Sequence, residues 1–156
     1  MRNDESHEFK DYMIKVVRDF KRVIDYLETR PDIDKEKLAY LGFSWGGWMA
    51  GIILAVEERI QLAILDVGGF WSWGKPKQEV DRINYVPRIT IPTLMLNGKF
   101  DMTFPYESTV KPMFDLLGTP GKDKKQVVYE TDHFIPRKEL IKESLTWLDR
   151  YFGQVK

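Results

Sequence analysis

Residues Gly42 to Gly47 read GFSWGG. Ahead of them, Leu38 to Phe43 (LAYLGF) is a short apolar run of strand length. Behind them, WMAGIILAVEE is apolar and long enough for a helix from about Gly47 to Glu58. Ser44 therefore sits on a strand-to-helix hinge, with Gly42 and Gly46 two residues to either side. A hinge that tight strains its central residue and crowds the side chains at those two positions, which glycine relieves. The turn would hold the serine hydroxyl in the open. The helix starting beneath it would aim its first N–H groups at the place where negative charge forms in acyl transfer. An ordinary glycine-rich turn has the same pattern, so the rest of the chain must decide.

Working outward, Phe9, Met13, Val16, Val17, Phe20, Val23, Ile24 and Leu27 recur every three or four residues and predict a long amphipathic helix ended by Pro31. Gln61 to Gly68 (QLAILDVG) is apolar without polar alternation, so it reads as a strand covered on both faces. Thr93 to Gly98 (TLMLNG) predicts a third strand and Gln126 to Glu130 (QVVYE) a fourth. Phe104 to Leu117 predicts a helix with Pro112 weakening its middle, and Phe104 and Phe114 read as core. Arg137 to Phe152 closes the chain as a helix. The lysine cluster KDKK, residues 122–125, reads as a solvated loop, and GGFWSWGKPKQEVDRINYVPRI as irregular. Alternating strands and helices give the α/β class: one domain over residues 1–156, about four parallel strands, helices on both faces. Sites in such sheets form at the carboxyl ends of strands.

Composition narrows the function. The chain has 24 basic and 24 acidic residues, so there is no field to draw nucleic acid or an anionic membrane. It has no cysteine and two histidines, which removes a thiol nucleophile and zinc-finger spacing. The polar start, MRNDESHEFKD, lacks a signal core, and no apolar run approaches a membrane span. A cytoplasmic location is the expectation. His7, in that polar start, reads as exposed.

Two further strand ends carry chemistry. Asp101 follows the third strand in NGKFDMTFP, and His133 follows the fourth in YETDHFIP. Serine, acid and histidine in that order and spacing match the order of a nucleophile-elbow triad. A hydroxyl needs a base to take its proton, and His133 is the imidazole in the carboxyl half. An acid would hold the ring's tautomer and steady the imidazolium. Asp101 is the favoured acid, and Asp66 at the end of the second strand is its rival. The N–H of Trp45 is the expected oxyanion donor. No cofactor and no metal are implied, and the expected partner is a small ester.

With these motifs in place the chain resembles the carboxyl-terminal half of an alpha/beta-hydrolase. It is most similar to serine hydrolases grouped with dienelactone hydrolases, acetyl xylan esterases and prolyl oligopeptidases. The resemblance rests on ETRPDIDKEKLAYLGFSWGG (Glu28 to Gly47), IPTLMLNGKFDMTFP (Ile91 to Pro105) and VVYETDHF. It implies Ser44 as nucleophile, Asp101 as acid and His133 as base. Asp132 stands where that group usually has glycine, and a serine stands where dienelactone hydrolases proper use cysteine. Phe70, Trp71 and Trp73 fall where such proteins place cap or pocket residues, and Trp45 and Trp48 flank the elbow. The resemblance also implies that strands ahead of the first helix are missing here, with the loop that gives the second oxyanion N–H. The elbow strand would then be left with an open edge, and the expected outcome is a homodimer or homo-oligomer through that edge, or docking onto a missing amino-terminal half.

Overall fold

The computed structural model describes residues 5–70 and 74–154. Helix α1 (His7–Thr29) is capped by Ser6, whose hydroxyl accepts the Phe9 N–H at 3.0 Å. Strand β1 (Ala39–Phe43) leads into helix α2 (Trp45–Val56), followed by β2 (Leu62–Asp66) and β3 (Thr93–Gly98). Helix α3 (Lys111–Leu116), strand β4 (Lys124–Tyr129) and helix α4 (Arg137–Phe152) complete the order. The four strands are all parallel and lie in the order β1-β2-β3-β4, as the alternating pattern requires.

Both sheet faces are used. Ala63, Leu65 and Met95 point into a core shared with α1 and α2, whereas Leu62, Ile64, Leu94 and Leu96 point at Trp147 of α4. This is why β2 and β3 read as unbroken apolar runs. β1 differs. Tyr40 is buried under α1, where its ring meets Phe20. Ala39, Leu41 and Phe43 face the α4 side in register with Leu62, Ile64 and Asp66, yet α4 does not cover them. Leu41 is 60% exposed and Phe43 46%. With β2 on one side and no strand on the other among the described residues, β1 is an edge, as expected.

Some boundaries depart from expectation. α2 begins at Trp45 rather than Gly47 and stops at Val56, because the helix starts directly under the serine. The helix expected over Phe104 to Leu117 is a wide turn, Tyr106–Val110, followed by α3. Pro112 lies in the first turn of α3, where its missing N–H costs nothing. The KDKK loop is partly strand. Lys124 opens β4, and its ammonium reaches the carbonyls of Phe114 (3.0 Å) and Leu117 (3.2 Å) at the end of α3. That placement suits a cation at a helix carboxyl end.

Candidate active site

Ser44 occupies the hinge with φ 52° and ψ −106°, a conformation that costs a non-glycine residue energy. The strain is held from two sides. The Ser44 N–H donates to the Asp66 carbonyl at 2.8 Å, and the Trp48 N–H donates to the Ser44 carbonyl at 3.0 Å. Below the turn, the Tyr40 hydroxyl donates to the Gly46 carbonyl at 2.6 Å, and burial pushes that phenol up to about 12. Trp45 is the first residue of α2, so its N–H is one of those a helix leaves without an internal partner.

The glycines divide the work differently from the expectation. A Cβ on Gly42 would lie 2.6 Å from the Gly46 carbonyl carbon, so this position must be glycine. A Cβ on Gly46 would meet nothing nearer than the Tyr40 hydroxyl at 3.8 Å, so the expected crowding on that side is absent. Gly47, not Gly46, is the second tight position, because its Cβ would lie 2.7 Å from Gly68 Cα after β2.

Asp101 and His133 come together above the strand ends. Nδ1 of His133 lies 2.8 Å from Asp101 Oδ2, and Nε2 lies 2.8 Å from Ser44 Oγ. The other Asp101 oxygen accepts the N–H groups of Thr103 (2.7 Å) and Phe104 (3.1 Å), so the carboxylate is buried and fully bonded. The imidazole lies among three rings: Phe104 at 6.0 Å, Phe43 at 5.8 Å and Phe134 at 5.7 Å. Phe104 is core, as expected, but it also stacks on the histidine; Phe114 is partly buried against the same core. Asp66 is buried and makes no hydrogen bond to His133, so Asp101 rather than its rival meets the ring.

Other contributors carried no clear sequence signal. At Gly98 a Cβ would stand 1.8 Å from the Asp132 carbonyl, so the histidine loop rests directly on the end of β3. The Phe100 N–H donates to the Thr131 carbonyl at 2.9 Å, joining the acid loop to the histidine loop. Asp132 accepts the Phe134 N–H at 3.1 Å and so shapes the turn that carries His133. Arg82 is buried with its guanidinium 3.2 Å from the Trp48 ring centroid, and it fixes that ring beside the elbow. Its neighbours in sequence, KPKQEVDRIN over residues 75–84, are mostly polar, so nothing local marks this cation as buried.

Phe70 and Trp48 line a small cavity of about 200 Å³ together with Arg82 and Ile83. Trp71 and Trp73, the other two aromatic pocket candidates, lie outside the described residues. Trp45 is half-exposed beside Trp48, with 6.2 Å between ring centroids. Among the described residues no cluster of three histidine, aspartate or glutamate side chains is arranged to hold a metal ion, and no helix is long and apolar enough to cross a membrane.

A parallel sheet with a strained serine after one strand, an acid after a later one and a histidine after the last defines the alpha/beta-hydrolase class. The chain matches the sequence profile of the dienelactone hydrolase family over residues 5–142 and belongs to that family. It is similar in structure to a cold-adapted esterase from an Arctic intertidal metagenomic library (TM-score 0.73, 24% identity, 88% of this chain and 58% of that one). It is also similar to the acetyl xylan esterase of Paenibacillus sp. R4 (TM-score 0.75, 20% identity, 87% and 52%). Dipeptidyl-peptidase 5 of Porphyromonas gingivalis is 24% identical over 175 residues, which cover 90% of this chain and 25% of the peptidase. The chain thus spans between a quarter and three-fifths of the length of these relatives.

Proposed function

We propose that this chain carries the nucleophile, base and acid of a serine hydrolase that cleaves small acyl esters. The observation that supports it most is the continuous hydrogen-bonded line from Ser44 through His133 to Asp101, two contacts of 2.8 Å each, ending on a serine held at positive φ. Ser44 Oγ attacks the acyl carbonyl while His133 Nε2 takes its proton. Asp101 keeps the proton on Nδ1 and faces the imidazolium that results. The oxyanion of the tetrahedral intermediate receives the Trp45 N–H. Collapse expels the alcohol, which takes the proton back from His133, and water then repeats the sequence on the acyl-serine.

Esters are preferred to peptides because the two esterase-named structures match over more of their length than the peptidase does. The half-exposed rings around Ser44 suit a compact acyl or aryl group, with Phe70, Trp71 and Trp73 as pocket candidates. One oxyanion donor is assigned, and a site with a single donor runs about 100- to 1,000-fold slower than one with two. A fluorophosphonate should therefore label Ser44 readily even where p-nitrophenyl acetate turns over slowly. Absence of label on Ser44 would remove this reading.

The uncovered face of β1 favours a second reading, in which the domain works only when assembled. Leu41 and Phe43 expose apolar surface on a strand whose outer edge is unpaired among the described residues. Its occupant is a second copy meeting edge to edge, and the alternative is a separate amino-terminal half of the kind the resemblance implies. Light scattering at micromolar concentration distinguishes these: a monodisperse monomer without a partner excludes the self-assembled form.

A further inference from the structure

Phe134 directly follows the base and is 66% exposed, and Phe43 directly precedes the nucleophile and is about half-exposed. A lone exposed ring needs no reason, but these two belong together. Their centroids are 6.1 Å apart and the rings stack at 27°. Both also meet the imidazole, Phe43 at 5.8 Å and Phe134 edge-on at 5.7 Å. The third ring at His133, Phe104, is fully buried and forms the floor. Phe134 is anchored as well as exposed. Its N–H donates to Asp132 Oδ1 at 3.1 Å, and the next residue, Ile135, is buried in the core on the α4 side.

The order of bond making decides which part of an ester these rings can meet. Ser44 Oγ bonds to the acyl carbon, and the oxyanion turns to the Trp45 N–H. The proton that His133 took from Oγ then goes to the leaving oxygen. That oxygen must come within hydrogen-bond reach of Nε2, about 2.6–3.2 Å. The carbon attached to it then lies beside the imidazole. An aromatic ring built on that carbon falls within the range of about 4.5–7 Å at which ring pairs attract. Trp45 and Trp48, the other rings of the elbow, pair with each other on α2. Leaving-group chemistry favours the same ester. A phenolate is a far weaker base than an alkoxide and leaves with less help, which suits a site with one assigned oxyanion donor.

Resting on the serine-hydrolase reading, we propose that Phe134 and Phe43 form the leaving-group subsite, and that the substrates are esters of phenols. In acylation the bond from Ser44 Oγ to the acyl carbon forms. The bond from that carbon to the phenol oxygen breaks, and the phenolate takes the proton from His133 Nε2. The departing ring lies against Phe134, the more exposed of the pair, so Phe134 determines how strongly a larger ring is preferred.

The test compares kcat/KM for phenyl acetate and 2-naphthyl acetate in wild type, Phe134→Ala and Phe134→Tyr, over the Ser44→Ala background. Phenol and 2-naphthol are of similar acidity, so the two esters differ in ring surface rather than in reactivity. Wild type should favour the naphthyl ester about three- to tenfold. Phe134→Ala should bring that ratio close to one, and Phe134→Tyr should keep it. The ratio of phenyl butyrate to phenyl acetate should stay the same in all three, because the acyl chain lies elsewhere. Should Phe134→Ala melt early, Phe134→Leu keeps the apolar bulk without the ring and should also lose the preference. Equal losses on both acetates mean that Phe134 only props the imidazole, and a change confined to the butyrate ratio means that it serves the acyl group. Either result overturns the proposal, as does a wild type with no naphthyl preference. Fluorophosphonate labelling of Ser44 without release of either alcohol also overturns it and leaves the nucleophile standing. Absence of label on Ser44 removes both readings.

Discussion

The acid–base half of the site and its nucleophile half are held in different ways. Asp101 and His133 stand on β3 and β4, and their loops are joined by the Phe100–Thr131 hydrogen bond and by the contact at Gly98. Both Asp101 oxygens are bonded, and the imidazole is enclosed by rings. Ser44 follows β1, which among the described residues is an edge strand as β4 is, and the turn that carries it runs straight into α2. Its strained backbone is kept in place by one hydrogen bond to β2, one helix turn and the Tyr40 hydroxyl. Two neighbouring loops can fix each other by mutual contact, whereas a single strand-to-helix turn depends on its local geometry. The nucleophile half is therefore where small backbone changes should matter most, and where a partner has most to add.

The largest effect tests whether the two halves act as one. Ser44→Ala should lower p-nitrophenyl acetate hydrolysis by about 10⁴-fold or more while the melting curve stays unchanged. Hydrolysis at the wild-type rate would mean that the halves meet without chemistry. Asp101→Asn should cost about 10³- to 10⁴-fold in kcat, because the imidazole loses the acceptor that sets its tautomer. A larger loss in Asp66→Asn than in Asp101→Asn would hand the acid role to Asp66.

Backbone substitutions separate the halves. Gly98→Ala should destabilise the fold by about 1–3 kcal/mol in urea, since its Cβ would overlap the Asp132 carbonyl, and it should displace His133. Gly42→Ala should cost a similar amount, while Gly46→Ala should stay within about 1 kcal/mol of wild type. Equal costs at 42 and 46 would mean the elbow is crowded on both sides. The smallest effect falls on the uncovered face. Leu41→Lys should change unfolding free energy by no more than about 0.5 kcal/mol, yet shift any oligomer seen by light scattering toward monomer.

Much of this was legible in the sequence because it follows from period and punctuation. The unbroken apolar character of QLAILDVG and TLMLNG announced covered parallel strands, and the three strand ends offered Ser44, Asp101 and His133 as candidates, side chains that the fold brings within hydrogen-bond reach. What was hidden depends on contacts between distant backbone atoms. Glycine spacing at 42 and 46 looked symmetrical, but only the folded hinge shows that Gly42 and Gly47 are the tight positions. Gly98 read as a strand end, because nothing local reports a loop arriving 33 residues or more later in the chain to rest on it. Lys124 read as loop because charge was weighed above the helix end it neutralises.

The ring enclosure of His133 also gives the molecule a spectroscopic label of its own. Phe104 lies nearly parallel to the imidazole, at 25°, with Phe134 edge-on at 80°. Aromatic ring currents at such distances move the resonances of a neighbour's carbon-bound protons well away from their solution positions. The chain's other histidine, His7, lies exposed at the start of α1 and keeps ordinary shifts. A one-dimensional proton spectrum in heavy water should therefore resolve two imidazoles without isotopes or mutagenesis. The displaced set reports the ionisation of the site directly, in the resting protein and again after Ser44 has been acylated.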